Sequence, residues 1–288
     1  MEHGLRTSPE SPPLRLIVLA GQPKGVADPL AERFGESHRC LIPLAGQPMI
    51  AHVLRTAMAH PRVESLAICV EREMFAPMWD MLTSMPGRGI VALVEAREHL
   101  ADSVRDAAGG WEGPVVVTTA DHALLTLEAI DAVAEALTRA DAAITLVPRD
   151  CVEAAHRSAP RRFLSLRDGE FAACDIYGIA GPVAVRAVEA FRGNRGFDRS
   201  GSRIRRAAGI LGLLLMRGRM LTLAAATELA SRKLKLRLCA VVLADGSQAI
   251  DVDDHHSYAA ARDLLDDRSA GVEEGEAGTG ARRVAARA

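Results

Sequence analysis

Apolar residues recur along this chain in two ways. Short, nearly unbroken runs of Val, Ile and Leu alternate with longer stretches in which apolar positions return every three or four residues. The runs at 14–20, 63–70, 89–94, 113–119 and 142–147 predict buried strands. The stretches at 49–59, 73–83, 102–108 and 127–139 predict helices between them. Strands alternating with helices of about ten residues predict right-handed βαβ units and a mainly parallel sheet. Between the first strand and residue 39 the chain is polar, with two Pro and two Gly over 22–39, and reads as a long loop.

The pattern changes near residue 150. Residues 162–171 resemble a hairpin around Asp168-Gly169, and 174–179 read as a further strand. Pro182 stands where it opens a helix, 200–234 read as mostly helical, 236–243 as a strand and 257–265 as a last helix. The expected organisation is a flexible N-terminus over 1–13, one domain over 14–268 and a disordered tail over 269–288 that is rich in Gly, Ala, Glu and Arg. The expected fold class is α/β, Rossmann-like, with a mixed, mainly parallel sheet flanked by helices.

Composition narrows the function. With 288 residues, 49% apolar and 25% charged, the chain has the make-up of an ordinary globular protein. Its 35 basic and 37 acidic residues and only 3% aromatics argue against a general nucleic-acid binder. No apolar run approaches the roughly 20 residues that span a bilayer, and residues 1–13 lack the apolar segment of a signal peptide. Five scattered cysteines without a CxxC pair suggest reduced thiols, so a cytoplasmic location is expected.

Charge is nevertheless uneven. Residues 192–237 carry twelve Lys or Arg against Asp198 and Glu228, a net of +10, and include the apolar run 209–216. A basic helical insert of this kind suggests peripheral contact with an anionic membrane or a phosphorylated acceptor. The alternative is a subdomain whose apolar stripe docks on the sheet while its Arg residues are solvated.

Four segments carry candidate chemistry. Leu19, Ala20 and Gly21, followed by Lys24 and Gly25, form a turn at the carboxyl end of the first strand, where doubly wound sheets bind ligands. Glycines there let backbone N–H groups approach phosphate, and Lys24 would neutralise charge; the alternative is a plain strand-to-loop turn. Asp121 follows the strand 113–119 and is placed to hold Mg²⁺ or to cap the next helix. Asp251 and Asp253 alternate along a short segment that would put both on one side, as a second metal arm or as part of a cap cluster with Asp254. Asp102-Ser103 opens a helix as a cap, or places Ser103 against a base.

Taken together these segments resemble the GT-A-type nucleotidyltransferases, and within them the MobA-like NTP transferases. The Leu-Ala-Gly turn is followed by a basic residue, Arg39, then Leu41-Ile-Pro43 and Gly46-Gln-Pro48-Met-Ile50 leading a helix. Asp121-His-Ala-Leu-Leu125 resembles the family's Asp-x-Pro-Leu-Leu, and Asp102-Ser103-Val104 its cytidylyltransferase loop. The usual Gly-Gly-x-Gly-x-Arg is here Gly21-Gln-Pro-Lys-Gly25, Arg39 stands for Lys, and Cys174-Asp175 for Gly-Asn. The resemblance implies a nucleotide-diphospho-sugar transferase fold and transfer of a nucleotidyl group from an NTP to a phosphorylated small molecule, with release of pyrophosphate. CTP is slightly favoured over GTP. The implied roles are phosphate binding for Lys24 and Arg39, nucleotide contact for Leu19, Ala20, Gly21, Gly25 and Ser103, and Mg²⁺ (or Mn²⁺) ligation for Asp121 with Asp251 or Asp253. A GT-A glycosyltransferase and a non-catalytic nucleotide-binding protein are the other readings.

Overall fold

The computed structural model describes residues 12–22, 25, 28–87, 89–156, 162–182 and 219–285, with side chains given to residue 270. Lys24 and most of the basic insert, including 209–216, lie outside the described residues.

The first strand, β1 (Leu14–Leu19), is apolar and almost wholly buried. It is flanked by β4 (Val63–Val70) and β6 (Val115–Thr119), both parallel to it, and β5 (Ile90–Glu95) extends that side. Such strands are apolar at nearly every position because helices cover both faces. The crossovers are α2 (Met49–Ala59), α3 (Phe75–Thr83) and α4 (Leu100–Ala108). A two-residue ladder, β2 (Pro43–Leu44) with β3 (Gln47–Pro48), precedes α2.

On the other side the sheet is mixed. β6 is followed by α5 (Leu127–Ala136), β7 (Ala142–Pro148) and α6 (Arg149–Ala155), but β7 does not pair with β6. Between them lies β9 (Gly169–Ile179), antiparallel to both and joined through a tight turn to its hairpin partner β8 (Phe163–Leu166). After α7 (Leu223–Leu234), β10 (Leu238–Val242) completes the sheet parallel to β7. The order is β10-β7-β9-β6-β1-β4-β5, with β8 on β9. A mixed, mainly parallel sheet with flanking helices is the class the sequence predicts.

Three departures have physical reasons. The loop expected over 22–39 contains a short helix, α1 (Pro29–Phe34), because Asp28 caps it and Pro29 stands at its first position. The strand expected at 174–179 begins at Gly169 and runs on through a bulge: Ile144 faces Tyr177 and Leu146 faces Ala173, so three residues of β9 oppose one of β7. At the bulge, hydroxyls of Thr118 and Thr145 donate to the carbonyls of Asp175 and Ile176 at 2.8 and 2.7 Å. The last helix, α8 (His255–Ala285), extends well beyond the 257–265 that the apolar pattern predicts. Residues 269–285 hold four Ala, three Glu and two Arg, which favour helix, alongside four Gly, which do not.

Among the described residues, no helix is long and apolar enough to cross a membrane.

Candidate active site

Parallel strands β1, β4 and β6 end side by side, so the segments leaving their carboxyl ends share one rim. The β1 exit is tightly held. The Ala20 amide donates to the Cys69 carbonyl at 2.9 Å, continuing the ladder to β4. The Gln22 amide donates to Glu71 Oε1 at 2.6 Å. Leu19 is buried beneath and faces Cys69 and Thr119 in register. Gly21 is glycine for a packing reason: a Cβ there would stand 2.5 Å from Ala96 Cβ. Gly25 is exposed in the left-handed region, at φ +70°, a conformation glycine adopts without strain.

The polar excursion then returns to the same rim. Asp28 ends it as the cap of α1, its Oδ1 accepting from the Leu30 and Ala31 amides at 3.0 Å each. Its other oxygen, Oδ2, accepts from Arg39 Nε at 2.7 Å and Nη2 at 2.6 Å. The third guanidinium nitrogen of Arg39, Nη1, points across to β6 and to the end of the domain. It lies 3.5 Å from Asp121 Oδ2 and 3.1 Å from Asp253 Oδ1. Burial opposes the Arg39 charge, but Asp121, then Asp28 and Asp253, outweigh it and raise its pKa above the ordinary arginine value. Gln22 braces this arrangement, donating from Nε2 to the Ser37 carbonyl at 3.1 Å.

Asp121 sits in the turn after β6. It does not cap α5; Thr126 does, accepting from the Ala129 amide. The Asp121 carbonyl instead accepts from the Val252 amide at 2.9 Å, which ties the β6 exit to the 251–253 segment. That segment is not the simple extended run in which Asp251 and Asp253 share a side. The Asp253 amide donates to the Asp251 carbonyl at 3.0 Å, the bond of a three-residue turn. Asp251 is accordingly wholly buried, whereas the Asp253 side chain is 39% exposed and shares Arg39 with Asp121. Asp254 caps α8: Ser257 donates its amide to Oδ1, and the Ser257 hydroxyl accepts from the Asp253 and Asp254 amides.

The rim therefore gathers Gly21, Gln22, Asp28, Arg39, Asp121 and Asp253. Ser103 stands one layer behind it. It is buried, and its hydroxyl accepts from the Arg97 amide at 2.8 Å, holding the loop that puts Ala96 against Gly21. Asp175 lies in the β9 bulge, buried, with its carboxylate accepting from the Tyr177 hydroxyl at 3.1 Å. Sequence reasoning missed Asp28 and Glu71. Asp28-Pro29 is a helix-start signal inside a segment read as loop; a Glu one residue past a buried strand, as Glu71 is, carries no comparable signal.

The donor chemistry suits a hard divalent cation. Two carboxylates converge on one point of positive charge, marked by Nη1, and Mg²⁺ takes one or two carboxylates, completing its shell with water and phosphate. Among the described residues, no three His, Cys, Asp or Glu side chains gather into a metal cluster of their own.

This sheet order with its flanking helices is a fold that nucleotidyltransferases share. The solved structures agree on the fold. A hypothetical transferase from Thermus thermophilus is 24% identical, with a TM-score of 0.68, over 86% of this chain and 99% of its own. A 4-diphosphocytidyl-2C-methyl-D-erythritol synthase from Anaerococcus prevotii is 11% identical, with a TM-score of 0.54, over 89% and 97%. A CMP:2-keto-3-deoxy-manno-octonic acid synthetase complexed with CTP is 12% identical, also with a TM-score of 0.54, over 89% and 99%. No curated protein matches the sequence. Residues 16–196 match the model of the MobA-like NTP transferase domain, and the chain belongs to that family.

Proposed function

We propose that the protein is a divalent-cation-dependent nucleotidyltransferase that moves a nucleoside monophosphate from an NTP to a phosphorylated small molecule. The observation that carries this reading is the convergence of Asp121 and Asp253 on Arg39 Nη1, at the carboxyl ends of the strands that bear the nucleotide loop. In the reaction an ionised acceptor oxygen attacks the α-phosphorus, the bond to the β-phosphate oxygen breaks, and pyrophosphate leaves. Such an acceptor needs no general base near neutral pH, so positioning and charge neutralisation supply most of the catalysis.

Each residue then has a task. Gly25 lets the chain turn under the triphosphate and Gly21 keeps the loop close against Ala96, with Leu19 and Ala20 fixing where the turn begins. Lys24 and Arg39 offset phosphate charge, and Arg39 arrives already oriented by Asp28. Asp121 and Asp253 would hold Mg²⁺ or Mn²⁺, which when bound would draw charge from the phosphate oxygens. Ser103 shapes the nucleotide side of the rim through the Arg97 loop. CTP is favoured by the Asp102-Ser103-Val104 segment and by two structural neighbours, the diphosphocytidyl-methylerythritol synthase and the synthetase complexed with CTP. The expected setting is cytoplasmic.

A pyrophosphate-release screen over the four NTPs with phosphorylated acceptors tests the reaction. Asp121→Ala should abolish metal-dependent NTP binding; unchanged binding in that variant would remove the carboxylates from the proposed role. One observation favours a second reading, nucleotide binding without turnover: the Ala20 and Gln22 amides of the phosphate loop are engaged within the protein. Tight NTP binding with no turnover across the same panel would establish it.

A further inference from the structure

We infer that Arg39 is an internal counterion which a divalent cation displaces from Asp121 and Asp253, with Asp28 as the anchor that keeps the guanidinium in place. The inference rests on the reading of those two carboxylates as cation ligands.

The guanidinium is divided between two tasks. Nε and Nη2 both lie on Asp28 Oδ2, a forked contact on a carboxylate whose other oxygen is fixed by the α1 cap. Nη1 alone serves the other two carboxylates. Asp121, whose side chain is 17% exposed, and Asp253 would repel one another in a poorly solvated rim without a positive charge between them. Arg39 supplies that charge when no cation is present.

The same atom cannot remain there when a cation arrives, because both would claim the same pair of oxygens. A divalent cation neutralises the pair more fully than a guanidinium. Nη1 is then released while Nε and Nη2 hold to Asp28, and a freed N–H donor faces the rim where phosphate oxygens are expected. A pre-formed ion pair must therefore be given up on cation binding, which weakens the cation's apparent affinity in the absence of nucleotide. A phosphate that accepts Nη1 recovers that loss, so cation and nucleotide favour each other's binding by the same factor.

Mn²⁺ binding to the full chain without nucleotide tests this, read by calorimetry and by the electron spin resonance signal of free Mn²⁺. Arg39→Gln should bind Mn²⁺ about tenfold tighter than wild type, within the usual range of coupling between sites. Its melting temperature without metal should fall below that of wild type and rise further on Mn²⁺ addition. Arg39→Lys keeps a charge but loses the forked contact to Asp28, and should fall between the two in affinity. Equal affinity in wild type and both variants, with Asp121→Asn abolishing binding in all, would overturn the counterion role and leave the metal reading intact. Mn²⁺ binding that Asp121→Asn does not change would overturn the metal reading itself, and the inference with it.

Discussion

Arg39 and Asp28 meet through two nitrogens on one oxygen, Nε at 2.7 Å and Nη2 at 2.6 Å from Oδ2, while Oδ1 of the same carboxylate caps α1. One side chain thus ties a helix start to the guanidinium at the rim. Asp28→Ala should destabilise the protein by about 1–2 kcal/mol through the lost cap. Asp28→Asn should recover most of that, because an amide oxygen still caps. Urea unfolding of the two variants separates the cap from the anchor. Equal losses in both would show that the Arg39 contact, and not the cap, carries the stability.

Gly21→Ala should destabilise the fold by about 1–3 kcal/mol, the range of overpacking in a tight contact. The added methyl would sit 2.5 Å from Ala96 Cβ. Ala96→Gly removes that methyl, so the double variant Gly21→Ala/Ala96→Gly should regain much of the loss. A double-variant cycle in denaturant reads the coupling directly. Additive losses would mean that the glycine is needed for another reason.

Ser103→Ala should cost about 1 kcal/mol, since the Arg97 amide loses its acceptor. Because Ser103 is buried behind the rim, the variant should raise KM for CTP and GTP by similar factors. A selective loss of one nucleotide would instead assign Ser103 to direct contact with the base.

His122 gives the protein a pH signature. It is wholly buried, and burial pushes its pKa down to about 4. The Thr118 hydroxyl donates its proton to the Asp175 carbonyl, so it accepts from His122 Nδ1–H at 3.1 Å, and the ring is held neutral. The unfolded chain takes up this proton near pH 6.5, well before the folded one does. Stability of the metal-free protein is therefore complete above that pH and falls as pH drops from about 6.5 through about 4. His122→Gln should flatten this part of the stability–pH curve, measured by urea midpoints. An unchanged slope would place the responsible group elsewhere.

The parts of the fold readable in the sequence are those set by local pattern. The predicted ranges of α2 and β4 coincide with the observed Met49–Ala59 and Val63–Val70, since each is a periodic or unbroken apolar stretch with turn residues beyond it. The helix α1 escaped because its six residues bury only Leu30 and Ala31, too little for a periodic signal. The full length of β9 escaped because its bulge breaks the alternation that marks a strand. At the rim, residue types were legible but partnerships were not. Arg39 reaches partners 82 and 214 positions away, and nothing in the local sequence distinguishes Asp253 from Asp251 as the one that meets it. That choice is made by a three-residue turn within the segment itself.

The placement of β9 between β6 and β7 also governs when the molecule can become whole. As the chain leaves the ribosome, β1, β4, β5 and β6 can assemble as soon as residue 119 has emerged, but β7 has no adjacent partner among them. The strand that joins the two halves ends at Ile179, and the far edge waits for β10 at Leu238–Val242. Asp121 is synthesised early, whereas Asp253 follows the last strand of the sheet. The acidic rim can therefore form only on a chain in which every strand of the sheet has already been made, so a protein truncated or stalled before residue 253 would lack it.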